Sequence, residues 1–185
     1  MNIFLLVDKF FPQPLSCAKL MFDLAVELKL LGHKPFIFTI DNNIKSKKSI
    51  IEENGITIIR TFGNKTKTSN KIMRLYAEQT MSQKILKYNQ NFIKSTKCDF
   101  LIVYSPSIFW VKLIKKIKLQ NNCKSYLILR DLFPQWLVDT GIIRKNGILD
   151  KYFSFKEAQL YNHCDVIGVQ SPKNLNHFNN KISLK

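Results

Sequence analysis

The segment NIFLLVDKFFPQPLSCAKLMFDLAVELKLLGHKPFIFTI, residues 2–40, decides the fold. Residues 2–7 are an apolar run that predicts a strand, and residues 35–40 predict a second one. Between them, Ser16 can cap a helix whose leucines recur at helical spacing, and Gly32 ends that helix. The segment is therefore a strand-helix-strand unit, and strands that are apolar throughout are typical of a parallel sheet covered on both faces.

The same alternation of strand and helix continues through the rest of the chain. The further predicted strands are residues 55–60, 100–104, 125–129 and 166–169. The further predicted helices are residues 71–97, residues 107–120 behind a Ser105-Pro106-Ser107 cap, a short one ending at Gly141, residues 148–164, and a last one capped by Ser171-Pro172. Residues 41–54 predict a polar loop with at most one helical turn, and residues 61–70 predict another loop.

Right-handed crossovers in this pattern predict a Rossmann-like α/β fold, a parallel sheet of strand order 3-2-1-4-5-6 with helices on both faces. The chain of 185 residues is long enough for one such domain, and a second domain of equal size does not fit. We therefore predict a single domain over residues 1–185. Ligands in such sheets bind beyond the carboxyl ends of the strands, at the switch between strands one and four. Residues 8–19, 105–107 and 130–136 all follow strands at that edge.

The charge of the chain is strongly positive, with 29 basic and 13 acidic residues and a formal net charge of +16. A field of this size favours anionic partners such as nucleic acid, a phospholipid surface or a phosphorylated substrate. Arginine supplies only four of the basic residues. Arg130 therefore stands out, because it places a bidentate donor at a strand end where lysine is the compositional default.

Composition also limits the location and the cofactors. No stretch approaches the roughly 18 uninterrupted apolar residues of a spanning helix, and no charged leader or cleavage site follows Met1, so we expect the chain to stay in the cytoplasm. The four cysteines are scattered without a CxxC motif, which predicts reduced thiols in or near the core and indicates no metal site. The dinucleotide fingerprint GxGxxG is absent after strand one, which counts against an NAD enzyme.

The first loop ends instead at a helix N-terminus, where backbone N–H groups can bind an anion. Lys19 lies in the first turn of that helix, where a cation opposes the helix dipole at a cost of about 0.3 to 1 kcal/mol. Either a bound anion removes this conflict or the Lys19 side chain simply extends into solvent.

The stretch LRDLFPQW, residues 129–136, begins as a buried strand and then carries the adjacent charges Arg130 and Asp131. The two residues form either an ordinary salt bridge or a site. In a site, Asp131 orients a hydroxyl or accepts its proton, while Arg130 binds a phosphate or carboxylate. The nearby aromatic residues Phe133, Trp136 and Trp110 are interpreted as packing residues rather than stacking platforms.

Two predicted helices interleave lysines with bulky apolar residues, at 108–119 and 71–97. Such a composition suits an anionic membrane surface. The alternative is a core-packed helix with a solvated lysine face.

Several segments resemble the amino-terminal half of GT-B glycosyltransferases of the GT4 type, particularly those that build bacterial O-antigen, capsule, colanic-acid-like and lipopolysaccharide glycans. They are YSPSIFW, SYLILRDLFPQWLVDTGII, DVIGVQSPKNLNHF and FFPQPLSCAKLMFDLAVELKLLGHKPFIFT. The resemblance implies retaining transfer of a sugar from a nucleotide-sugar, which is a substrate rather than a cofactor. It also implies a polyprenyl-diphosphate-linked glycan as acceptor, at the inner face of the cytoplasmic membrane.

By matching position, the resemblance places Ser16, Cys17 and Lys19 toward the donor phosphates or the acceptor. It places Arg130 and Asp131 where many relatives keep a residue lining the reaction centre, so these two are the predicted catalytic residues. Ser105 and Ser107, which follow strand four at the same edge, complete the predicted substrate-binding set. Many relatives have glycines where this chain has Ser16 and Cys17, which makes close backbone approach to a phosphate less assured.

The resemblance covers only the acceptor-side domain. The nucleotide-sugar domain of the family, with its two glutamates seven residues apart, has no counterpart in this sequence. We expect the chain to be inactive without that domain, as a fragment, a shortened reading frame, or one subunit of an enzyme whose second polypeptide supplies it. There are two competing hypotheses without an enzymatic role. One is a nucleic-acid-binding module, which leaves RDLFPQW unexplained, and the other is a membrane-docking interaction subunit.

Overall fold

The computed structural model of the chain describes residues 1–13, 15–63, 71–105, 107–172 and 174–175. The strands are β1 (Asn2–Leu6), β2 (Lys34–Asp41), β3 (Lys48–Glu53), β4 (Ile56–Phe62), β5 (Phe100–Tyr104), β6 (Lys124–Leu129) and β7 (Val166–Val169). The helices are α1 (Ser16–Leu30), α2 (Lys71–Ser95), α3 (Val111–Asn121), α4 (Gln135–Asp139) and α5 (Ile148–His163).

The strands form one seven-stranded sheet in the order β3-β4-β2-β1-β5-β6-β7. All neighbouring strands are parallel except β3 and β4. The order β4-β2-β1-β5-β6-β7 is the predicted Rossmann-like order, so the α/β fold class and the strand order are confirmed. The chain reverses its direction of travel across the sheet at β1, between β2 and β5.

The prediction of a loop over residues 41–54 is wrong, because β3 lies there as an antiparallel edge strand. It forms a hairpin with β4 through Asn54 and Gly55, whose φ angles are 52° and 70°. Asn-Gly is the preferred pair for a two-residue hairpin turn, because both positions need positive φ. The strand was missed because most of its side chains are exposed. Backbone hydrogen bonds to β4, rather than burial, hold it in place.

Two apolar cores cover the two faces of the sheet. On one face, α1 packs Ala18, Met21 and Ala25 against alternate residues of the central strands. On the other face, α2, α3 and α5 pack against the intervening strand residues, including Phe4 and Phe38. The period of two in the strands and of 3.6 in the helices thus separates the apolar residues onto the faces that need them.

Two of the predicted helix caps are wrong. Ser16 is the first residue of α1, whose N-cap is Leu15 without a side-chain hydrogen bond. The third helix begins at Val111 rather than at residue 107, and its N-cap is Trp110. Trp110 is fully buried and its indole N–H donates to the Tyr104 carbonyl at 3.2 Å, so burial of this side chain sets the turn before α3.

Helix α2 contains a kink at Asn89, whose φ and ψ are −115° and 18°. The buried Asn89 amide donates to the Thr61 hydroxyl at 2.7 Å and to the Ile85 carbonyl at 3.1 Å.

The predicted loop at 61–70 is wrong at its start. Thr61 and Phe62 belong to β4, and residues 64–70 lie outside the described part of the chain. The helix predicted after Pro172 also lies largely outside it.

Among the described residues, no helix combines the length and the apolar character needed to span a bilayer.

Candidate functional site

A cleft of about 570 Å³ opens at the carboxyl edge of the sheet. The loop after β1 supplies Asp8 and Lys9, the segment after β5 supplies Ser107, and the segment after β6 supplies Arg130 and Asp131. The remaining lining residues are Glu78, Ile108, Leu132, Phe133, Gln135, Trp136, Asp139 and Asn174. This is the edge at which open α/β sheets bind their ligands, beside the strand where the order reverses.

Arg130 is the first residue after β6 and its side chain is held by the phenol of β5. Its Nη1 donates to the Tyr104 hydroxyl oxygen at 3.4 Å. This hydrogen bond raises the pKa of Arg130, so the guanidinium stays charged. Burial raises the pKa of Tyr104 against the opposing effect of Arg130, so the phenol stays neutral. The fork of Arg130 therefore keeps a fixed positive charge in the cleft wall.

Asp131 is exposed, and in the described part of the chain Arg130 and Asp131 do not form an ion pair. The interpretation of these residues as an ordinary salt bridge is therefore wrong. Both residues line the cleft. The Arg130 guanidinium can bind an anion there, and the Asp131 carboxylate can accept a hydrogen bond from a hydroxyl group. Their predicted catalytic role stays a prediction.

The three predicted residues of α1 lie at its N-terminus but do not line the cleft. The Cys17 thiol donates to the Lys9 carbonyl at 3.8 Å, which ties the first loop to the helix. Burial, and next the charge of Asp8, raise the pKa of Cys17, so that the thiol stays protonated. Ser16 is exposed at the start of the helix.

Lys19 turns to its own helix. Its ammonium lies 2.5 Å from the Asp23 carboxylate, one turn further along α1, and both side chains are largely exposed. The observed partner of the Lys19 ammonium is thus a carboxylate of its own helix.

The two predicted serines after β5 are placed differently. Ser107 lines the cleft, and its hydroxyl lies 3.8 Å from the Met81 sulfur. Ser105 is 1% exposed and its N–H donates to the Ile128 carbonyl at 3.0 Å. The Ser105 hydroxyl has no hydrogen-bond partner among the described residues and does not line the cleft. Of these two serines, only Ser107 therefore lines the cleft.

The sequence interpretation missed an ion pair that anchors the first loop. Arg60, near the end of β4, lies 3.2 Å from the Asp41 carboxylate at the end of β2, and both side chains are about nine-tenths buried. The same guanidinium also donates to the Phe11 carbonyl in the loop after β1. The scarcity of arginine in this chain is the signal that could have found Arg60, since an arginine inside a β-branched strand is expected to have a buried partner.

The charge of the cleft differs from the charge of the whole chain. Four carboxylates, of Asp8, Glu78, Asp131 and Asp139, and two cations line it, whereas the chain carries a net charge of +16. Carboxylates accept hydrogen bonds from hydroxyl groups and repel a polyphosphate backbone, and side-chain amides both donate hydrogen bonds to hydroxyl groups and accept them. The cleft is thus better suited to a polyhydroxylated ligand with one anionic group than to a nucleic acid.

The three aromatic residues in question have different roles. The interpretation of Trp110 as a packing residue is confirmed by its full burial. Phe133 packs edge-on against Phe153, with ring centroids 5.1 Å apart. Trp136 lies 6.2 Å from Phe133, yet it is 40% exposed and lines the cleft. Its indole can therefore contact a ligand in the cleft while it packs against the ring of Phe133.

Comparison with known proteins gives fold-level similarity at low identity. No family model and no curated protein matches the sequence. An alpha-glucosyltransferase in complex with UDP and a 13-mer DNA containing a central A:G mismatch superposes with a TM-score of 0.49 and 13% identity, over 93% of this chain and 37% of that one. A ugt transferase from Siraitia grosvenorii in complex with UDP superposes with a TM-score of 0.43 and 10% identity, over 70% of this chain and 28% of that one.

This chain therefore spans 37% and 28% of the length of the two solved structures. Because both TM-scores are below 0.5, neither structure assigns a ligand or an activity to this chain. Any assignment of its ligand and activity rests instead on the strand order and the residues of the cleft.

Proposed function

We propose that this chain is the acceptor-binding domain of a retaining glycosyltransferase that moves a sugar from a nucleotide-sugar to a glycan acceptor in cell-surface polysaccharide synthesis. The observation that carries the proposal is the side-by-side arrangement of a fixed guanidinium, Arg130, and an exposed carboxylate, Asp131, in one cleft. The similarity of RDLFPQW and VQSPKNL to the GT4 type adds to it.

The cleft offers one kind of group for each part of such an acceptor. Arg130 can bind a diphosphate oxygen through its fork. Asp131 can accept a hydrogen bond from the attacking sugar hydroxyl and take its proton as the new bond forms. The exposed indole of Trp136 can cover the apolar face of a sugar ring. A polyprenyl-diphosphate-linked glycan carries all three features.

Transfer in this proposal requires a nucleotide-sugar domain, in the same polypeptide or in a second one. The leaving nucleoside diphosphate has to be stabilised by donors aimed at its developing charge, which is the largest single contribution to many such reactions. The described cleft holds only Arg130 and Lys9 as cations. The 185-residue chain alone should therefore bind an acceptor without measurable turnover.

We also propose that the domain acts at the inner face of the cytoplasmic membrane. The exposed side of α3 carries Lys112, Lys115 and Lys116, and Leu119 beside them is 84% exposed. A groove of about 250 Å³ between α2 and α3 is lined by the apolar residues Leu86 and Ile93, the lysines Lys87 and Lys116, and two glutamines. Lysines with adjoining apolar side chains favour an anionic lipid surface. Flotation with phosphatidylglycerol vesicles but not with phosphatidylcholine vesicles is the expected result, and no flotation with either would contradict the location.

The function is tested by equilibrium binding to a short-chain polyprenyl-diphosphate-linked disaccharide. The free disaccharide and the unglycosylated prenyl diphosphate serve as comparison ligands, and both should bind more weakly than the linked glycan. Arg130→Lys keeps the charge but loses the fork, so we expect its affinity to fall by roughly tenfold. The matched control is Arg144→Lys, which changes an exposed arginine outside the cleft.

The first competing hypothesis makes the opposite forecast for the same samples. A nucleic-acid-binding module would bind an oligonucleotide more tightly than the linked glycan, with affinity falling steeply as salt rises. Arg130→Lys and Arg144→Lys would then weaken binding to a similar small extent. Either outcome would overturn the proposed function.

A further inference from the structure

The edge strand β3 has one side that no other described strand covers. It is the first strand of the sheet order and pairs only with β4. Most of its side chains are exposed. The exposed fraction is 43% for Ile50 and 39% for Ile51. An uncovered edge strand is a template for pairing with another strand.

The register with β4 determines which backbone groups face outward. The Phe62 N–H donates to the Lys47 carbonyl at 3.0 Å, which marks residue 47 as one that faces β4. Because the direction alternates along an antiparallel strand, residues 49, 51 and 53 also face β4. The N–H and C=O groups of Lys48, Ile50 and Glu52 therefore point away from the sheet. The Lys48 carbonyl accepts a hydrogen bond from the Ser46 hydroxyl at 2.5 Å, in keeping with its outward direction, and retains a second lone pair.

The outward groups are complementary to themselves. If a second β3 lies antiparallel along this edge, with Ile50 opposite the same residue of the other copy, Lys48 lies opposite Glu52 on both sides of the axis. The three outward residues of each strand then exchange about six backbone hydrogen bonds. The side chains of residues 48, 50 and 52 share one face of the sheet, so that two pairs of opposite charge flank an isoleucine contact.

We propose that two copies of this chain associate through β3 in this antiparallel register, which joins their two sheets across a two-fold axis. The partner strand is β3 of a second copy, because the strand KSIIEE is its own complement in charge and in hydrogen-bonding direction. The strand β3 is separated from β1 by β4 and β2, so the association leaves the cleft beside β1 open. The inference does not depend on the proposed function.

The opposing reading is that lysines protect a solvated edge, as they do in many monomeric β proteins. Lys45, Lys47 and Lys48 lie on or beside β3, and each copy carries a net charge of +16. Association should therefore be measured at an ionic strength of about 0.15 M, where charges more than roughly 8 Å apart are largely screened. A chain that stays monomeric over the whole accessible concentration range would overturn the proposal.

Sedimentation equilibrium of wild type and variants is the test, and we expect a monomer–dimer equilibrium for wild type. Ile50→Pro removes an N–H that faces outward, so the ladder to β4 is kept while the outer edge is blocked. Its dimer dissociation constant should rise by roughly tenfold or more. Ile50→Val, which keeps the N–H, is the matched control and should associate like wild type.

Charge exchange gives a second readout that does not touch the backbone. Lys48→Glu and Glu52→Lys should each weaken the dimer, because each places like charges opposite one another. The double variant Lys48→Glu/Glu52→Lys should restore it. Both positions are exposed, so the variants should fold even if Ile50→Pro does not. A dimer that none of these substitutions weakens would show that another surface mediates association and would overturn the assignment to β3.

Discussion

Arg60 and Asp41 form a buried ion pair across the ends of β4 and β2, with 3.2 Å between the guanidinium Nη1 and the carboxylate Oδ2. The pair does more than join two strands, because Arg60 also donates to the Phe11 carbonyl. Phe11 belongs to the loop that supplies Asp8 and Lys9 to the cleft. The position of that loop therefore depends on the Arg60–Asp41 pair. This pair lies in β4 and β2, on one side of β1 in the sheet, whereas Arg130 follows β6 on the other side.

Removing one partner of this pair should strongly destabilise the domain. Asp41→Ala leaves the Arg60 guanidinium buried without its counter-ion, and we expect the free energy of unfolding to fall by about 3 kcal/mol or more. Urea denaturation at neutral pH measures this change. Asp23→Ala is the matched control, since it breaks the exposed Lys19 pair and should cost less than about 1 kcal/mol. Equal losses in the two variants would contradict the importance of the buried pair.

A second carboxylate links stability to pH at the opposite edge of the sheet. Partial burial works to raise the pKa of Asp165, but hydrogen bonds from Lys118 and Ser125 outweigh it and lower the pKa to about 2. Because the pKa in the folded state lies below the ordinary value of 3.8, the contribution of Asp165 is fully present above about pH 4. It is lost as the pH falls from about 4 toward 2.

We therefore expect Asp165→Asn to lower the free energy of unfolding by on the order of 2 kcal/mol at pH 7. The difference between wild type and variant should shrink below pH 4 and nearly vanish near pH 2. Urea denaturation across this pH range gives the measurement. A difference that stays constant down to pH 2 would show that the charge of Asp165 is not what stabilises the strand ends.

Gly168 in β7 is a glycine because the ring of Tyr126 lies against it. A β-carbon at this position would be 2.6 Å from the Tyr126 Cζ atom and closer still to its hydroxyl. Gly168→Ala should therefore cost about 1 to 3 kcal/mol of stability through overpacking. The same substitution should cost much less in a Tyr126→Ala background, where the ring is absent. Thermal unfolding of the four proteins measures this coupling, and additive effects would contradict it.

The sheet could be predicted from sequence where burial writes a pattern. Almost every residue of β1 and β5, and the apolar run at the centre of β2 and at the end of β6, packs into one of the two cores. These apolar runs locate the strands, and their parallel order follows from the connections. The exposed β3 has no such pattern. Only the Asn54-Gly55 turn marks it, and that signal says where a hairpin turns rather than how long its strands are.

The cleft was predictable as a place but only in part as a set of side chains. Strand order alone brings Arg130 and Ser107 to one edge, because both follow strands next to β1 or β5. Side-chain direction decides the rest. Lys19 turns toward Asp23, and the Arg60 pair depends on the register between β2 and β4, which is set by contacts between residues distant in sequence.

The proposed role of Asp131 is tested in the proposed enzyme, that is, in this domain assembled with a nucleotide-sugar domain. If Asp131 takes the proton of the attacking hydroxyl, Asp131→Asn should lower kcat by about 10² to 10⁴ with little change in KM. Trp136→Ala should instead raise KM, because it removes a contact that substrate and transition state share. Steady-state kinetics with varied acceptor separates the two effects. Trp136→Ala removes no proton acceptor, so it is the control for general disruption of the cleft. An Asp131→Asn enzyme with wild-type kcat would mean that the domain is a docking module without chemistry.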